Sequence, residues 1–152
     1  MIASSKMRLV LDTNILLASV FSASGASNRI VLDGLAQKYH WACSVALMLE
    51  YESVLKRPEH LRRSRIDSNG IDAILDAVAA VVEPVRFSFL WRPLLKDPND
   101  EMVVETAVNG RADLVVTMNL RHLEPGLTRF GIPALGPGES LRILRKTRGY
   151  IS

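Results

Sequence analysis

Short apolar runs alternate with longer amphipathic stretches along this chain of 152 residues, and the alternation limits the folds that are open to it. The runs have the length and composition of buried strands, and they lie at residues 8–11, 41–43, 81–82, 114–117 and 132–135. Strands that alternate with helices predict a parallel sheet with helices on both faces. No repeat or long linker divides the sequence, so we expect one α/β domain over residues 1–152.

Several of the intervening stretches have residues typical of a helix start. Asn28 belongs to the residue types that cap helices, and we predict that it caps a helix continuing to about Lys38. Ser44 is the predicted cap of a second helix, whose apolar positions recur at the spacing of one helical face and which ends at Pro58. A further helix is predicted to begin near Asp100.

The composition narrows the class of protein. The net charge is +3 and most of the basic residues are arginines, which suit bidentate contacts to phosphate or carboxylate, so nucleic acid and an acidic protein both fit as partners. No apolar run approaches the roughly 18 residues that a membrane span needs, and the polar N-terminus is a poor secretory signal. Cys43 is alone and cannot form an internal disulfide. We therefore expect a cytoplasmic protein with no membrane partner.

Polar residues follow the ends of the predicted strands, where open α/β sheets place their sites. Asp12 follows the first strand. Thr117 is the last residue of the fourth strand, and Asn119 follows that strand. Glu50 lies about two turns into the helix after the second strand, and Asp100 lies at the start of the helix that leads to the fourth. Because adjacent parallel strands end at the same edge of a sheet, we expect these groups to lie close together.

Several carboxylates in one place are costly unless a cation holds them. Mg²⁺ and Mn²⁺ prefer oxygen ligands and keep waters for substrate phosphates. Such ions activate water and neutralise charge during attack on a phosphodiester. The spacing therefore predicts a nuclease or a phosphatase, and it does not separate the two.

Each acid also has a structural interpretation. Asp12 has the residue type of a helix cap. Asp100 can be the reciprocal partner in a capping box that begins at Asp97. Glu50 can be a solvated helix residue, because Glu50 and Glu52 flank the apolar face of their helix about equally.

A basic patch, with Lys56 and His60 beside it, lies within residues 57–65 and consists of Arg57, Arg62, Arg63 and Arg65. We expect it to help to hold an RNA backbone, and the alternative is an ordinary solvated face. Arg121 and His122 follow the fourth strand and are candidate RNA contacts of the same kind. Asn119 and His122 can also be ordinary loop residues.

The motif LVLDTN at residues 9–14 resembles the opening signature of the PIN-domain ribonucleases. The segment 44–58 resembles the second segment of that family, and it places Glu50, rather than Glu52, at the second acidic position. Asp100, with small apolar residues behind it, resembles the third segment. Residues 112–117 resemble the strand before the fourth segment, and 119–123 match a variant found in the branch described as toxins of toxin–antitoxin systems. The resemblance covers about residues 8–145.

The resemblance implies a three-layer α/β/α sandwich around a parallel sheet of about five strands. It implies cleavage of RNA that depends on Mg²⁺ or Mn²⁺, often by homodimers or higher oligomers. Asp12, Glu50 and Asp100 would be the metal ligands, and Asn119 would complete the catalytic set by orienting a ligand or a water. In the VapC-like toxins, a bacterial branch of type II toxin–antitoxin modules, an antitoxin encoded alongside blocks the site.

The fourth position departs from the pattern. Many PIN domains have an Asp where this chain has Asn119, and an amide oxygen can still ligate a metal or hold a water but brings no charge. Asn14 and Thr117 are the neutral supporting residues.

Two other functions stay open at this point. A catalytically silent PIN domain that binds RNA or a protein would fit the neutral Asn119. A phosphatase or phosphotransfer domain with Asp12 as its nucleophile is the second alternative, although haloacid-dehalogenase-like enzymes have a second Asp where this chain has Asn14, and the acidic pair of response-regulator receivers does not precede Asp12.

Overall fold

The computed structural model describes residues 6–87, 98–147 and 150, without the side chains of residues 98–100. The strands in this part of the chain are β1 (Arg8–Leu11), β2 (His40–Ser44), β3 (Glu83–Val85), β4 (Leu114–Val116) and β5 (Ala134–Leu135). The helices are α1 (Thr13–Phe21), α2 (Ala26–Leu35), α3 (Val45–Leu55), α4 (Pro58–Arg63), α5 (Ser68–Val81), α6 (Pro98–Asn109), α7 (Leu120–Thr128) and α8 (Pro137–Arg145).

All five strands pair in parallel, in the order β3-β2-β1-β4-β5. The central strand is β1, and its residues Leu9, Val10 and Leu11 are fully buried although successive side chains point to opposite faces of the sheet. Both faces must therefore be covered by helices. The predicted three-layer α/β fold with a parallel sheet of five strands is confirmed.

The third strand begins two positions later than predicted. We expected it to begin at Val81 and Val82, but α5 continues through Val81 and β3 begins at Glu83. Pro84 lies inside β3, in register with Cys43 of β2. Proline cannot donate to a ladder and is tolerated on an edge strand, and β3 is an edge of this sheet.

The predicted cap of α2 is wrong. The helix begins at Ala26 rather than after Asn28, whose side-chain amide donates instead to the carbonyl of Ala23 at 2.7 Å. The helix ends at Leu35 and does not reach Lys38, because the intervening Gln37 has a φ of 57°, which is outside the helical region.

The cap of α3 is where the sequence placed it. The Ser44 hydroxyl accepts a hydrogen bond from the amide of Leu47 at 3.1 Å. The helix ends at Leu55, and Pro58 begins the short helix α4 instead of only ending α3, as Pro often does at the first position of a helix. Helices α4 and α7 were not predicted.

No single helix among the described residues is long and apolar enough to cross a membrane. In the same part of the chain, α1 and α2 reach the required length and composition only when they are taken together, and they are bent by 108° at their junction.

Candidate functional site

Asp12 stands at the carboxyl end of the central strand, beside the end of β4. Its amide donates to the carbonyl of Val116 at 2.9 Å, so the ladder between β1 and β4 continues up to this residue. The Thr117 hydroxyl donates to Asp12 Oδ2 at 2.7 Å, and the same hydroxyl oxygen accepts from the amide of Asn119 at 2.9 Å. The strand pairing therefore sets the position of the carboxylate, and the Thr117 hydroxyl fixes one of its oxygens.

The Asp12 carboxylate does not act as a helix cap. Asp12 precedes α1, but its side chain makes no capping hydrogen bond. Only 8% of the residue is exposed, and this burial raises the pKa of the carboxyl above its ordinary value and outweighs the lowering effect of the Thr117 hydroxyl. The negative charge of Glu50 raises the pKa further. The ionised form is thus held at a cost in free energy that a nearby cation would remove.

Glu50 is brought to Asp12 by helix α3. The buried hydroxyl of Tyr51 donates to the carbonyl of Leu11 at 2.6 Å and so ties α3 to the last residue of β1. Glu50 precedes Tyr51, and its Oε2 accepts from the Thr13 hydroxyl at 2.6 Å. Glu52 is exposed and forms an ion pair at 3.2 Å with Lys56, the residue that follows α3. The structure therefore places Glu50, and not Glu52, beside Asp12.

Asn14 lies in the first turn of α1, and Asn119 lies in the loop that follows β4. The Asn14 side-chain oxygen accepts from the amide of Met118 at 3.3 Å and links the start of α1 to that loop. Asn119 occupies the cap position of α7 without making a side-chain cap.

These groups line one depression, which we call the acidic cavity. It has a volume of about 340 Å³ and is lined by Asp12, Thr13, Asn14, Leu17, Glu50, Val54, Arg57, His60 and Asn119. Four of the residues proposed from the sequence for the acid site are thus brought together here: Asp12, Asn14, Glu50 and Asn119. Thr117 supports them from beneath through its bond to Asp12.

Asp100 lies in the first turn of α6, and its side chain is outside the described residues. The helix that carries it is tied to the end of β2, because the hydroxyls of Ser44 and Thr106 lie 2.8 Å apart. Two other acids of α6, Glu101 and Glu105, are buried, and the sequence pattern did not single them out. Among the described side chains, no group of three or more His, Cys, Asp or Glu could hold a metal ion.

The donor set that is described fits a hard cation in its chemistry. It consists of the carboxylates of Asp12 and Glu50 and the amide oxygen of Asn119, with hydroxyls that orient the two carboxylates. Oxygen donors of this kind suit Mg²⁺ or Mn²⁺ better than a metal that prefers sulfur or nitrogen.

The four arginines of the predicted basic patch have different surroundings. Arg57 lines the acidic cavity, whereas Arg62 is exposed on α4. The Arg63 guanidinium lies over the ring of Phe21, 4.3 Å from its centroid.

Arg65 has a structural contact of its own. Its guanidinium donates to the carbonyl of Ser19 at 3.0 Å and to the side-chain oxygen of Asn28 at 3.2 Å. It therefore joins the segment after α4 to α1 and α2. Arg121 and His122 are exposed in the first turn of α7 and do not line the acidic cavity.

Two polar residues of the cavity were not proposed as site residues from the sequence. Thr13 directly follows Asp12, and its place in the opening motif is the signal that could have identified it. His60 lies three positions after Arg57, which is the spacing of one helical face. Its Nδ1 lies 2.7 Å from the carbonyl of Val54. A carbonyl only accepts, so Nδ1 carries a proton and donates this hydrogen bond.

Comparisons with known proteins agree with the fold. A sequence model of the PIN domain matches residues 8–121. The structure is similar to a chain of the VapBC2 complex from Rickettsia felis, which was crystallised with a DNA fragment from its promoter; the TM-score is 0.56 at 20% identity, over 85% of this chain and 97% of that one. A search of the curated proteins finds no match. With three quarters of its length matched and with this sheet, the chain belongs to the PIN-domain family.

Proposed function

We propose that this PIN domain is a metal-dependent endoribonuclease that hydrolyses phosphodiester bonds in RNA. The observation that carries the proposal is the pair of carboxylates in the acidic cavity. Asp12 and Glu50 come from different segments, each accepts a hydrogen bond from a threonine hydroxyl, and both line the same depression. Two like charges held in this way favour a site for a cation.

Asp12, Glu50 and Asp100 would hold Mg²⁺ or Mn²⁺. A divalent ion bound there would lower the pKa of a coordinated water and neutralise charge on the phosphate. The residues of this chain prepare the site. Thr117 and Thr13 orient the carboxylates, and Asn119, whose amide is neutral, orients a ligand or a water.

We further propose that the enzyme is the toxin of a type II toxin–antitoxin module. The variant at 119–123 and the likeness to a chain of a VapBC complex support this role. A cognate antitoxin would bind the toxin and block the cavity, and the enzyme would act in the cytoplasm as a homodimer or higher oligomer.

The proposal is tested by cleavage of a mixed-sequence single-stranded RNA with Mn²⁺. Asp12→Asn keeps an acceptor for Thr117 but removes the charge, so we expect the rate to fall by about 100-fold or more. Asp76→Asn is the matched control, because Asp76 is exposed on α5 and does not line the cavity. An Asp12→Asn variant that cleaves as fast as the parent would disprove the assignment.

A catalytically silent module is the second candidate, and the neutral Asn119 favours it. Calorimetry with Mn²⁺ separates the two. RNA binding without any metal binding would favour the silent module, whereas stoichiometric metal binding that Asp12→Asn abolishes would favour the nuclease.

A further inference from the structure

Two depressions meet at the carboxyl end of the sheet. Beside the acidic cavity is a second one, which we call the α3 groove. It has a volume of about 400 Å³ and is lined by Ala46, Leu49, Glu50, Ser53, Arg57 and Met102. Glu50 and Arg57 line both depressions and therefore lie at their boundary.

The two depressions differ in chemistry. The acidic cavity contains amide, imidazole and carboxylate groups, whereas the α3 groove is mostly apolar and includes Leu49, which is 60% exposed. Each volume lies in the range of small-ligand sites. The polar depression and the apolar depression meet at Glu50 and Arg57. This arrangement suits a chain of nucleosides linked by phosphates better than a single compact ligand.

Arg57 is positioned by the backbone at the junction of α3 and α4. Its amide donates to the carbonyl of Val54 at 3.3 Å, and Pro58 follows it as the first residue of α4. Among the described residues the Arg57 guanidinium has no carboxylate within ion-pair distance, whereas Arg8 pairs with Glu83 at 2.7 Å. The charge of Arg57 is therefore not neutralised by any of the described residues.

A phosphodiester near Asp12 and Glu50 would be repelled by both carboxylates. A guanidinium on the wall of the same cavity offsets that repulsion and can contact two phosphate oxygens at once. His60 lies on the same wall, with Nδ1 committed to the carbonyl of Val54, so its ring orientation is fixed.

We propose that Arg57 binds the RNA phosphate that joins two successive nucleotides, one in the acidic cavity and the next in the α3 groove. The inference rests on the proposed RNA substrate and assigns this role to Arg57 rather than to the basic patch as a whole. Arg63 packs on Phe21 and Arg65 donates to Ser19, whereas Arg57 lines both depressions.

The test is binding of a labelled single-stranded RNA by fluorescence anisotropy in EDTA, at several salt concentrations, so that cleavage does not enter. We expect Arg57→Ala to weaken binding by about tenfold, the value of one charge-assisted contact. The slope of log affinity against log salt should fall by about 0.7, which corresponds to one phosphate contact on a single strand. Arg57→Lys should restore part of the affinity, because it keeps the charge without the planar fork.

Arg129→Ala is the matched control. Arg129 is exposed at the end of α7 that is far from Asn119, and its substitution by alanine removes the same charge. It should leave both the affinity and the slope unchanged. Equal slopes in the wild type, Arg57→Ala and Arg129→Ala would overturn the inference and leave this face to a protein partner, and a wild type that binds no RNA would overturn it too.

The two proposals can fail separately. A chain that cleaves no RNA but shows the expected slopes would retain the phosphate contact and lose the nuclease assignment. A chain that cleaves RNA while Arg57→Ala binds as the wild type does would retain the nuclease and lose the contact.

Discussion

At the scale of single residues, the acid site depends on Asp12 and the groups around it. The carboxylate is buried at the end of a central strand, one of its oxygens is held by Thr117, and Glu50 stands nearby. Burial raises the pKa of Asp12 more than the Thr117 hydroxyl lowers it, so the folded protein carries a cost when the acid ionises. A residue that reduces stability in this way is typical of a functional site.

This cost predicts a pH-dependent effect of Asp12→Asn on stability. The folded-state pKa of Asp12 is raised above the ordinary value of 3.8, so the favourable contribution of the protonated acid is complete below pH 3.8 and is lost as the pH rises through the folded-state pKa. In EDTA at pH 7, the melting temperature of Asp12→Asn should therefore be higher than that of the wild type. The difference between the two melting temperatures should decrease as the pH is lowered.

The control is Asp76→Asn, which changes the net charge equally on the exposed face of α5. A difference in melting temperature between Asp12→Asn and the wild type that stays constant with pH, or that increases as the pH is lowered, would contradict the raised pKa.

At the scale of elements, close packing between α2 and the sheet limits the size of the side chain that α2 can accommodate at position 34. Gly34 lies in α2 against two buried aromatic side chains. A Cβ at this position would lie 2.5 Å from the Tyr39 hydroxyl and 2.7 Å from a ring carbon of Trp41. The Tyr39 hydroxyl is itself committed to the carbonyl of Ile30 at 2.7 Å, so it has little freedom to move.

We therefore predict that Gly34→Ala destabilises the fold although alanine is the better helix former. The expected loss in the free energy of unfolding is about 1–3 kcal/mol, which is the usual cost of overpacking. Urea denaturation measures it. Gly138→Ala in α8 is the matched control, because its Cβ would meet nothing within 4 Å, and it should leave stability unchanged or slightly higher. Equal effects of the two substitutions would show that α2 can shift away from β2.

At the scale of the whole molecule, the proposed metal site would form only in the folded chain. Asp12 follows β1, Glu50 comes from α3 and Asp100 from α6, and the strand order brings these segments to one edge of the sheet. A ligand that binds only this arrangement must stabilise the entire fold.

This coupling predicts that Mn²⁺ raises the melting temperature of the wild type. At a free concentration about 100 times the Kd, the stabilisation is about 2.7 kcal/mol, or roughly 5–10 °C for a chain of this size. EDTA should reverse the shift, and Asp12→Asn should not show it. A wild type whose melting temperature does not respond to Mn²⁺ would contradict the metal site.

The local sequence by itself determined the strands and the main helices. The apolar runs at 8–11 and 114–116 are buried strands because continuous apolar stretches of that length need cover on both faces. Ser44 caps α3 because its hydroxyl reaches an amide only three residues away. These features depend on neighbours in the sequence, as does the motif around Asp12 that predicted the family.

Only the tertiary structure decided which side chains meet. The preference for Glu50 over Glu52 could not come from the helical pattern, because the two flank the apolar face equally. It follows from the Thr13 hydroxyl, which donates to Glu50, and from the Tyr51 hydroxyl, which donates to Leu11 at the end of β1. The different surroundings of the basic residues were likewise not predictable from the sequence, since Arg57 and Arg65 are close in the chain, but Arg57 lines the acidic cavity and Arg65 contacts α1 and α2. Strand order and helix packing join residues that are far apart in sequence, and no local pattern encodes those distances.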